Sequence, residues 1–280
     1  MLASYEPYAA AFKVVFSDSE RFDLFKLVEP SPRSVGELAS LRGLSEAAAR
    51  RHLATLESVG IVSADDSSQP VGYRLNLDFV RRVLSDLAEL PDDRRDLSGQ
   101  PAPPFRLPEA DGRQIALAEA LNHGPAIVWF SRGLTCSFCR RHRAQLALGY
   151  SAIRRLGAEI FEITPTPVEQ AAIYFANYKL VFPYLCDPAN ETAAAYGVRA
   201  GIANPLRAGR EFFAGKLAQN IGVGDWVPGL EATAESQANS HTDDGLFLVD
   251  QAGIIRFGQV GTLIGVLSNA EIERRLRQIA

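Results

Sequence analysis

The sequence is poor in the residues that mark secreted, membrane-spanning and metal-dependent proteins. Its 280 residues contain three cysteines, four histidines and one methionine. Three cysteines, an odd number, do not form the disulfide framework of a small secreted domain. No apolar run approaches the length that spans a bilayer, and the N-terminal stretch shows no basic region followed by an apolar one. We therefore expect a cytoplasmic protein without membrane contacts.

An excess of positive charge is also absent. The formal net charge is -4. Residues 1–98 carry 12 Lys and Arg against 16 Asp and Glu, whereas residues 99–280 balance at 17 and 17. Because attraction to phosphates supplies most non-specific affinity for DNA, DNA binding by the N-terminal part would depend on a local cluster of arginines.

The length of the chain suits two domains, because single cores rarely grow much beyond 150 to 250 residues. The stretch "LPDDRRDLSGQPAPPF", residues 90–105, contains a Gly-Gln-Pro turn signal, several prolines and little apolar periodicity. Such a composition is typical of a linker that opens into a new domain. We predict a first domain over residues 1–98 and a second over residues 99–280.

The first domain shows the pattern of a winged helix. Ser34 with Glu37 three residues later predicts a capping box, and Ser45 opens a second helix with a predicted box of the same kind. This second helix ends at Gly60. The following "IVSADDSSQPVGYRLNL" alternates apolar and polar residues around a turn, as a two-stranded hairpin does. Two short helices with a tight turn, followed by a hairpin, form a winged helix-turn-helix.

The stretch from "FSDSERFDLF" through "SVGELASL" and "EAAARRHLATLESVGIV" to "GYRL" resembles the ArsR-type winged-helix regulators. The resemblance implies that the helix from Ser45 enters the DNA major groove, that the wing touches the DNA backbone, and that terminal helices of the domain pair two subunits. The predicted DNA-binding residues are Ser45, Ala48, Arg50, Arg51, His52 and Arg74. The alternative is a winged helix that serves only dimerisation or protein contacts. No cysteine or histidine pair lies in "ELASL", so a metal sensor at that helix is not supported.

The second domain alternates short apolar runs with helical stretches, which predicts an α/β layer fold. The run "AIVWF" leads into a helix from Cys136 to about Leu156, and later runs follow the same rule. The last two strands are predicted to form an antiparallel hairpin across residues 251–253. A strand that leads into C-x-x-C at the start of a helix is a thioredoxin-like arrangement.

The stretch "VWFSRGLTCSFCRRHRAQL" holds the two cysteines of that motif. Cys136 at a helix N-terminus would have a lowered thiol pKa, and Cys139 one turn later is close enough to form a disulfide with it. Our hypothesis is that Cys136 attacks and Cys139 resolves. A zinc site would need two more soft ligands, and we predict no metal. The remaining alternative is that both cysteines are core residues; we predict this role for Cys186.

A second resemblance covers nearly all of residues 99–280. The pieces "GQPAPPFRL", "SRGLTCSFCR", "FPYLCDPANETAAAYGV" and "GLFLVDQAGIIRFGQVG" resemble the AhpC/TSA family, the peroxiredoxin-like branch of the thioredoxin fold. The resemblance implies redox chemistry at Cys136 and Cys139, with Arg132 and Thr135 as further catalytic candidates. It also implies a thioredoxin-type or low-molecular-weight thiol reductant and no bound cofactor.

The sequence departs from that family in two places. Thr135 directly precedes Cys136 instead of standing three residues before it, and Arg132 lies near the place of the usual proline. Asp243 and Asp244 occupy the stretch where a peroxide-binding cation or a cis-proline is expected. An acidic residue there would raise the thiolate pKa through like charge.

Two functions remain open. The first is a redox-responsive DNA-binding regulator, a homodimer in which Cys136 and Cys139 cycle between dithiol and disulfide. The second is a thiol oxidoreductase that reduces peroxides or disulfides and uses the winged helix only for dimerisation. An inactive scaffold is the third reading. The presence of both domains in one chain favours the regulator, because a redox sensor needs reactive thiols but not the groups that support repeated catalytic turnover. Residues 199–240 form an insertion that we expect to cover the thiol site or to make a dimer contact.

Overall fold

The computed structural model describes residues 5–67, 70–88, 90, 94–134, 136–199, 205–217, 243–262, 264 and 266–279. The chain forms two compact units. The first is built from residues up to 91 together with a later segment that includes residues 205–217. The second is built from the described residues that remain. The chain therefore leaves the second unit and returns to it within the predicted second domain.

The first unit begins with two helices and continues as a helix-turn-helix with a small sheet. Its elements up to the linker are α1 (Glu6–Phe16), α2 (Ser19–Leu27), β1 (Arg33–Ser34), α3 (Val35–Arg42), α4 (Glu46–Ser58), β2 (Val62–Asp65), β3 (Gly72–Leu75) and α5 (Leu77–Asp86). The three strands pair in the order β1-β3-β2, and β2 and β3 are antiparallel neighbours. The predicted winged helix, with its hairpin after the second helix, is confirmed.

Local hydrogen bonds explain where the helices α3 and α4 begin. Ser34 and Glu37 form the predicted capping box, in which each side chain accepts the backbone N–H of the other residue. The Ser45 hydroxyl accepts the N–H of Ala48 at 3.2 Å. The second predicted box is wrong, because Ala48 has no carboxylate to return the hydrogen bond. Gly43 ends α3 in the left-handed region at φ 73°, which glycine adopts without a steric penalty.

The second unit contains a six-stranded sheet. Its elements are β4 (Arg95–Asp96), β5 (Arg106–Pro108), β6 (Gln114–Ala116), α6 (Leu117–Leu121), β7 (Ala126–Phe130), α7 (Ser137–Arg155), β8 (Glu159–Thr164), α8 (Val168–Phe175), β9 (Tyr184–Cys186) and α9 (Glu191–Ala195). After an intervening helix, α10 (Pro205–Leu217), come β10 (Asp244–Val249), β11 (Ile255–Gly261) and α11 (Asn269–Ile279). The order is β4-β11-β10-β7-β8-β9.

Strand β7 lies in the middle of this sheet and is buried on both faces. It runs parallel to β8 and antiparallel to β10. Phe130 packs on one face with Phe247 and Tyr196, while Trp129 belongs to the cluster on the opposite face. Burial on both faces accounts for the unbroken apolar run "AIVWF". The α/β prediction and the antiparallel hairpin of β10 and β11 are confirmed.

Helix α10 completes the core of the first unit. The Phe213 ring lies 5.3–5.8 Å, between centroids, from the rings of Phe12, Phe25 and Phe79. Phe212 makes similar contacts with Phe16 and Phe22. A methyl group at Gly209 would come within 2.4 Å of the Phe12 ring, so only glycine fits this approach. The insertion is expected from the sequence to cover the thiol site or to make a dimer contact, with aromatic residues typical of a core; its described helix lies in the core of the first unit.

Candidate thiol site and DNA-binding surface

The thiol pair lies where β7 passes into α7. Strand β7 ends at Phe130, and Cys136 is the N-cap residue of α7. Cys136 and Cys139 form a disulfide, with their Cα atoms 5.2 Å apart, a separation that disulfides commonly show. Both cysteines stand as predicted at a strand-to-helix turn.

The two sulfurs have different surroundings. Cys136 is partly exposed, and its Sγ accepts the backbone N–H of Cys139 at 3.2 Å. Cys139 is only 1% exposed, and its Sγ accepts the backbone N–H of Arg132 at 3.4 Å. N–H groups at a helix N-terminus stabilise a thiolate. The arrangement favours Cys136 as the sulfur that an external reactant meets and Cys139 as its internal partner.

A buried ion pair stands beside the disulfide. Arg132 is 7% exposed, and its Nε lies 3.4 Å from Oδ1 of Asp244 at the start of β10. Strand β10 is the sheet neighbour of β7, with Gly245 opposite Phe130. The like charge that we expected from Asp244 is therefore offset by Arg132. The predicted candidate Thr135 lies outside the described residues.

A second buried ion pair crosses from α7 to β8. Arg143 donates two hydrogen bonds, of 2.6 and 2.7 Å, to the Glu162 carboxylate. The Ser131 hydroxyl, next to Arg132, donates to the same carboxylate at 2.6 Å. Burial opposes the charge of Arg143, but Glu162 outweighs this effect and raises the pKa of Arg143. From the sequence, Arg143 is expected only to add positive potential behind the cysteines; Glu162 was not predicted, although a glutamate inside the apolar run "EIFEIT" was a visible signal.

Two further titratable side chains near the sheet are held in their neutral forms. Burial, and then the positive charge of Arg132, lower the pKa of His142 to about 4, against the opposing effect of Glu162. Burial raises the pKa of the Cys186 thiol to about 12. Cys186 is fully buried at the end of β9, which agrees with the core role predicted for it.

The described residues contain no cluster of three or more histidines, cysteines or carboxylates that could hold a metal ion. Within the same part of the chain, no helix is both long and apolar enough to cross a bilayer.

The predicted DNA-binding residues divide into two groups. Arg50 and Arg51 on α4 and Arg74 on β3 are exposed, and none of them forms an ion pair with a residue that the structure describes. Such side chains are available to phosphates. His52 differs, because it is 14% exposed on its side chain and its Nε2 lies 3.2 Å from Oε2 of Glu20 on α2.

The other two predicted contacts serve the helix itself. Ser45 is exposed, but its hydroxyl caps α4 through the N–H of Ala48. Ala48 is half-buried. The Ser45 hydroxyl and the Ala48 N–H already form the cap of α4, so a DNA contact by either residue would be additional to this role.

Comparison with known proteins identifies both units. The model of the AhpC/TSA family matches residues 98–257, more than half of the chain. The chain belongs to the AhpC/TSA family. A helix-turn-helix domain model matches residues 16–63. This AhpC/TSA protein therefore carries a helix-turn-helix domain ahead of its thioredoxin-like, peroxiredoxin-like domain, and the predicted architecture is confirmed. The ArsR subtype stays a prediction.

Its similarity to individual proteins is lower. It is 27% identical over 115 residues to the chloroplastic peroxiredoxin Q of Sedum lineare, covering 41% of this chain and 61% of that protein. It is also 27% identical over 108 residues to the chloroplastic peroxiredoxin Q of Oryza sativa subsp. japonica, covering 39% of this chain and 49% of that protein. The match thus spans between about half and three fifths of these relatives.

Two solved structures are similar to part of the chain. The peroxidoxin BcpB of Mycobacterium tuberculosis superposes with a TM-score of 0.47 at 16% identity, over 65% of this chain and 97% of that chain. The reduced 2-Cys peroxiredoxin of Plasmodium vivax superposes with a TM-score of 0.47 at 13% identity, over 65% of this chain and 95% of that chain.

Proposed function

We propose that this AhpC/TSA protein is a transcription regulator whose DNA affinity depends on the oxidation state of Cys136 and Cys139. One observation carries the proposal: a chain with a helix-turn-helix unit holds a closed disulfide at the N-terminus of a helix in its peroxiredoxin-like unit. A disulfide that opens and closes at a helix terminus is a local change with two discrete states, which is what a switch requires.

The redox cycle needs one oxidant and one reductant. The Cys136 thiolate attacks an oxygen of a hydroperoxide; an S–O bond forms, the O–O bond breaks, and the leaving alkoxide takes a proton to become an alcohol. The Cys139 thiol then attacks the Cys136 sulfur, so the S–S bond forms and water leaves with the thiol proton. A thioredoxin-type dithiol, or two low-molecular-weight thiols, returns two electrons through a mixed disulfide.

The DNA contact would use the exposed arginines of the first unit. Arg50 and Arg51 lie on the helix that the ArsR resemblance places in the major groove, and Arg74 lies on the wing. The net charge of residues 1–98 is negative, but the three exposed arginines on α4 and β3 supply a local positive potential. The partner would be double-stranded DNA near the protein's own gene.

The resemblance also predicts a homodimer through the terminal helices of the winged-helix unit. These are α1 and α5, and both pack against α10 of the same chain. A dimer contact would therefore use the surface that α10 leaves uncovered, or α10 itself. Sedimentation of the full chain with and without DNA measures this.

The test is the DNA affinity of the full-length protein in its two oxidation states. Fluorescence anisotropy with a fragment of its own promoter region, at low salt, should give affinities that differ by about 5- to 150-fold, the usual range of coupling between two sites. Cys136→Ser should bind equally with and without hydroperoxide. Cys186→Ser, a change at the buried third cysteine, is the matched control and should keep the response. Equal affinities in the wild type, or no binding in either state, would contradict the proposal.

The partly exposed Cys136 with a buried Cys139 behind it favours a second candidate, a thiol oxidoreductase. Its measure is repeated consumption of hydroperoxide in the presence of thioredoxin and its reductase. If the protein turns over, Cys136→Ser should stop it. If the wild-type protein consumes no more than one equivalent per thiol pair, the enzyme function is wrong, thioredoxin is not the reductant of the pair, and the switch would depend on a low-molecular-weight thiol.

A further inference from the structure

Three connections join the peroxiredoxin-like unit to the first unit along the chain. The chain enters the second unit before Arg95, leaves it after Arg199, and returns to it before Asp243. The segment between the last two positions contains α10. Arg95, Arg199 and Asp243 are therefore described residues of the second unit that lie close in sequence to the connections.

The residues beside the three connections contact one carboxylate, that of Asp243. Asp243 is 2% exposed, and its Oδ2 lies 3.2 Å from Nε of Arg199 and 3.9 Å from Nη2 of Arg95. The Asp243 backbone N–H also donates to the Arg199 carbonyl at 2.8 Å. The Thr262 hydroxyl donates to Oδ1 of Asp243 at 3.3 Å. Arg95 is tied to the same place by a 2.6 Å hydrogen bond to the carbonyl of Gly197.

The next residue along the chain, Asp244, is linked to the thiol pair through Arg132. Asp244 is 3% exposed and pairs with Arg132, whose backbone N–H contacts the Cys139 sulfur. Successive side chains at the start of a strand point to opposite sides. Asp243 and Asp244 thus connect two places: the point where the chain joins the units, and the surroundings of the disulfide.

We propose that Asp243 and Asp244 form a positioning pair that transmits the oxidation state of Cys136 and Cys139 to the connections of the DNA-binding unit. The proposal rests on the proposed function. When a dithiol reduces the disulfide, the S–S bond breaks and the dithiol, oxidised to a disulfide, supplies two electrons and two protons; one proton stays on one sulfur as a thiol, the other goes to solvent, and the second sulfur is left as a thiolate. The new negative charge competes with Asp244 for Arg132, since charges interact strongly away from water.

Helix α10 lies between Arg199 and Asp243 in the chain and belongs to the first unit. Phe212 and Phe213 anchor α10 among the rings of α1, α2 and α5. A change in the contacts of Asp243 therefore alters the points of the second unit to which the segment containing α10 and the linker before Arg95 are attached. Tightly packed cores respond to such shifts by changing between discrete arrangements.

The first test uses Arg199→Gln in the full-length protein. Arg199 is about half exposed, but its substitution removes one charged partner of the buried Asp243, so the melting temperature of the variant is measured first to establish that it is folded. Arg256→Gln is the matched control, because Arg256 is also about half exposed and pairs with a buried aspartate, Asp250, in the same unit. Two quantities are measured: the reduction potential of the free protein against dithiothreitol, and the ratio of DNA affinities in the two oxidation states. We expect Arg199→Gln to keep the potential and to bring the ratio close to one, while Arg256→Gln keeps both.

The second test uses Asp244→Asn on the thiol side. Without the competing carboxylate, Arg132 is left to stabilise a thiolate. The alkylation of Cys136 by iodoacetamide, followed against pH, should therefore show a lower thiol pKa than in the wild type. A purely structural role of Asp244 would change the melting temperature without moving this titration in that direction.

The outcomes separate the two proposals. If wild-type affinity does not depend on oxidation state, the proposed function is wrong and the coupling falls with it. If the wild type responds and Arg199→Gln responds equally, the positioning role of Asp243 is wrong while the function stands. A loss of response in both Arg199→Gln and Arg256→Gln also overturns the role, because the effect would not be specific to Asp243.

Discussion

The first unit keeps its candidate DNA-binding arginines exposed, whereas the second unit buries two arginines against carboxylates. Arg50, Arg51 and Arg74 pair with no residue that the structure describes, but Arg132 and Arg143 are held by Asp244 and Glu162. Exposed cations cost little and remain available to a partner. Buried cations fix the local geometry and electrostatics, at the cost of desolvation. The difference separates a candidate binding surface from a candidate site for chemistry.

The cores of the two units also differ in how much buried charge they contain. The first unit is held by aromatic rings that include two from α10, far along the chain. The second unit is built on a sheet with charged pairs at its centre. The first core should therefore respond most to the loss of apolar volume, and the second to the loss of a charge.

The largest effect is expected at the Arg143 and Glu162 pair. Arg143→Leu and Glu162→Leu should each lower the free energy of unfolding by about 3–5 kcal/mol, because each leaves a buried charge without a partner. The double variant should cost less than the sum of the two. Urea denaturation measures the free energy of unfolding of each variant. Hydrogen exchange in β7 and β8 measures the local loss of protection. The exposed pair of Arg106 and Glu119 is the control, and Arg106→Leu should cost less than about 1 kcal/mol. Additive losses at the buried pair would contradict the prediction.

A loss of similar size is expected in the first unit from Phe213→Ala. Removing this buried ring should cost about 3–5 kcal/mol. Hydrogen exchange should show lost protection in α1, α2 and α5 while β7, β8 and β10 keep theirs. Leu148→Ala, at a side chain that is 87% exposed, is the control and should change stability by no more than about 0.5 kcal/mol. Equal loss of protection in both units would show that their cores are not separate.

A third effect concerns pH and the second unit. The pKa of His142 is about 4 in the folded protein and 6.5 in the unfolded chain. Between these values the unfolded chain binds the proton first, so stability falls as the pH decreases from 6.5 to 4, by up to about 3 kcal/mol. His142→Asn should remove this part of the pH dependence in urea unfolding measured across that window. If the free energy of unfolding of the variant has the same slope against pH as the wild type, groups other than His142 cause the pH dependence.

The smallest effect on stability is expected at the exposed arginines. Arg50→Gln should change the free energy of unfolding by no more than about 0.5 kcal/mol. It should still weaken DNA binding and reduce the slope of log affinity against log salt by about 0.9 if Arg50 meets one phosphate. Arg81→Gln, on the exposed side of α5, is the control and should leave the slope unchanged. A slope that does not change in Arg50→Gln removes Arg50 from the DNA surface.

Much of the fold followed from short-range patterns. The capping box of Ser34 and Glu37, the turn at Gly43 and the C-x-x-C motif depend on residues within one or two helical turns of each other, so the sequence predicts them directly. The second capping box failed for an equally local reason, since Ala48 stands where a carboxylate was needed.

The site could be predicted only in part. Cys136 and Cys139 were identified from their spacing, but the partners of Arg132 and Arg143 lie in other strands of the sheet. Their pairing depends on strand order and register, which no local pattern encodes. His52 was predicted to face DNA because of its place on α4, yet its ring contacts Glu20 of α2.

By itself the sequence determined the winged helix, the α/β unit and the position of two cysteines at a helix N-terminus, because periodicity, capping and turn residues act over short distances. The tertiary structure alone decided that α10 completes the first core and that Asp243 pairs with Arg199 while Asp244 pairs with Arg132. These contacts bring together residues far apart in the chain, and they exist only once the sheet and the helices have packed.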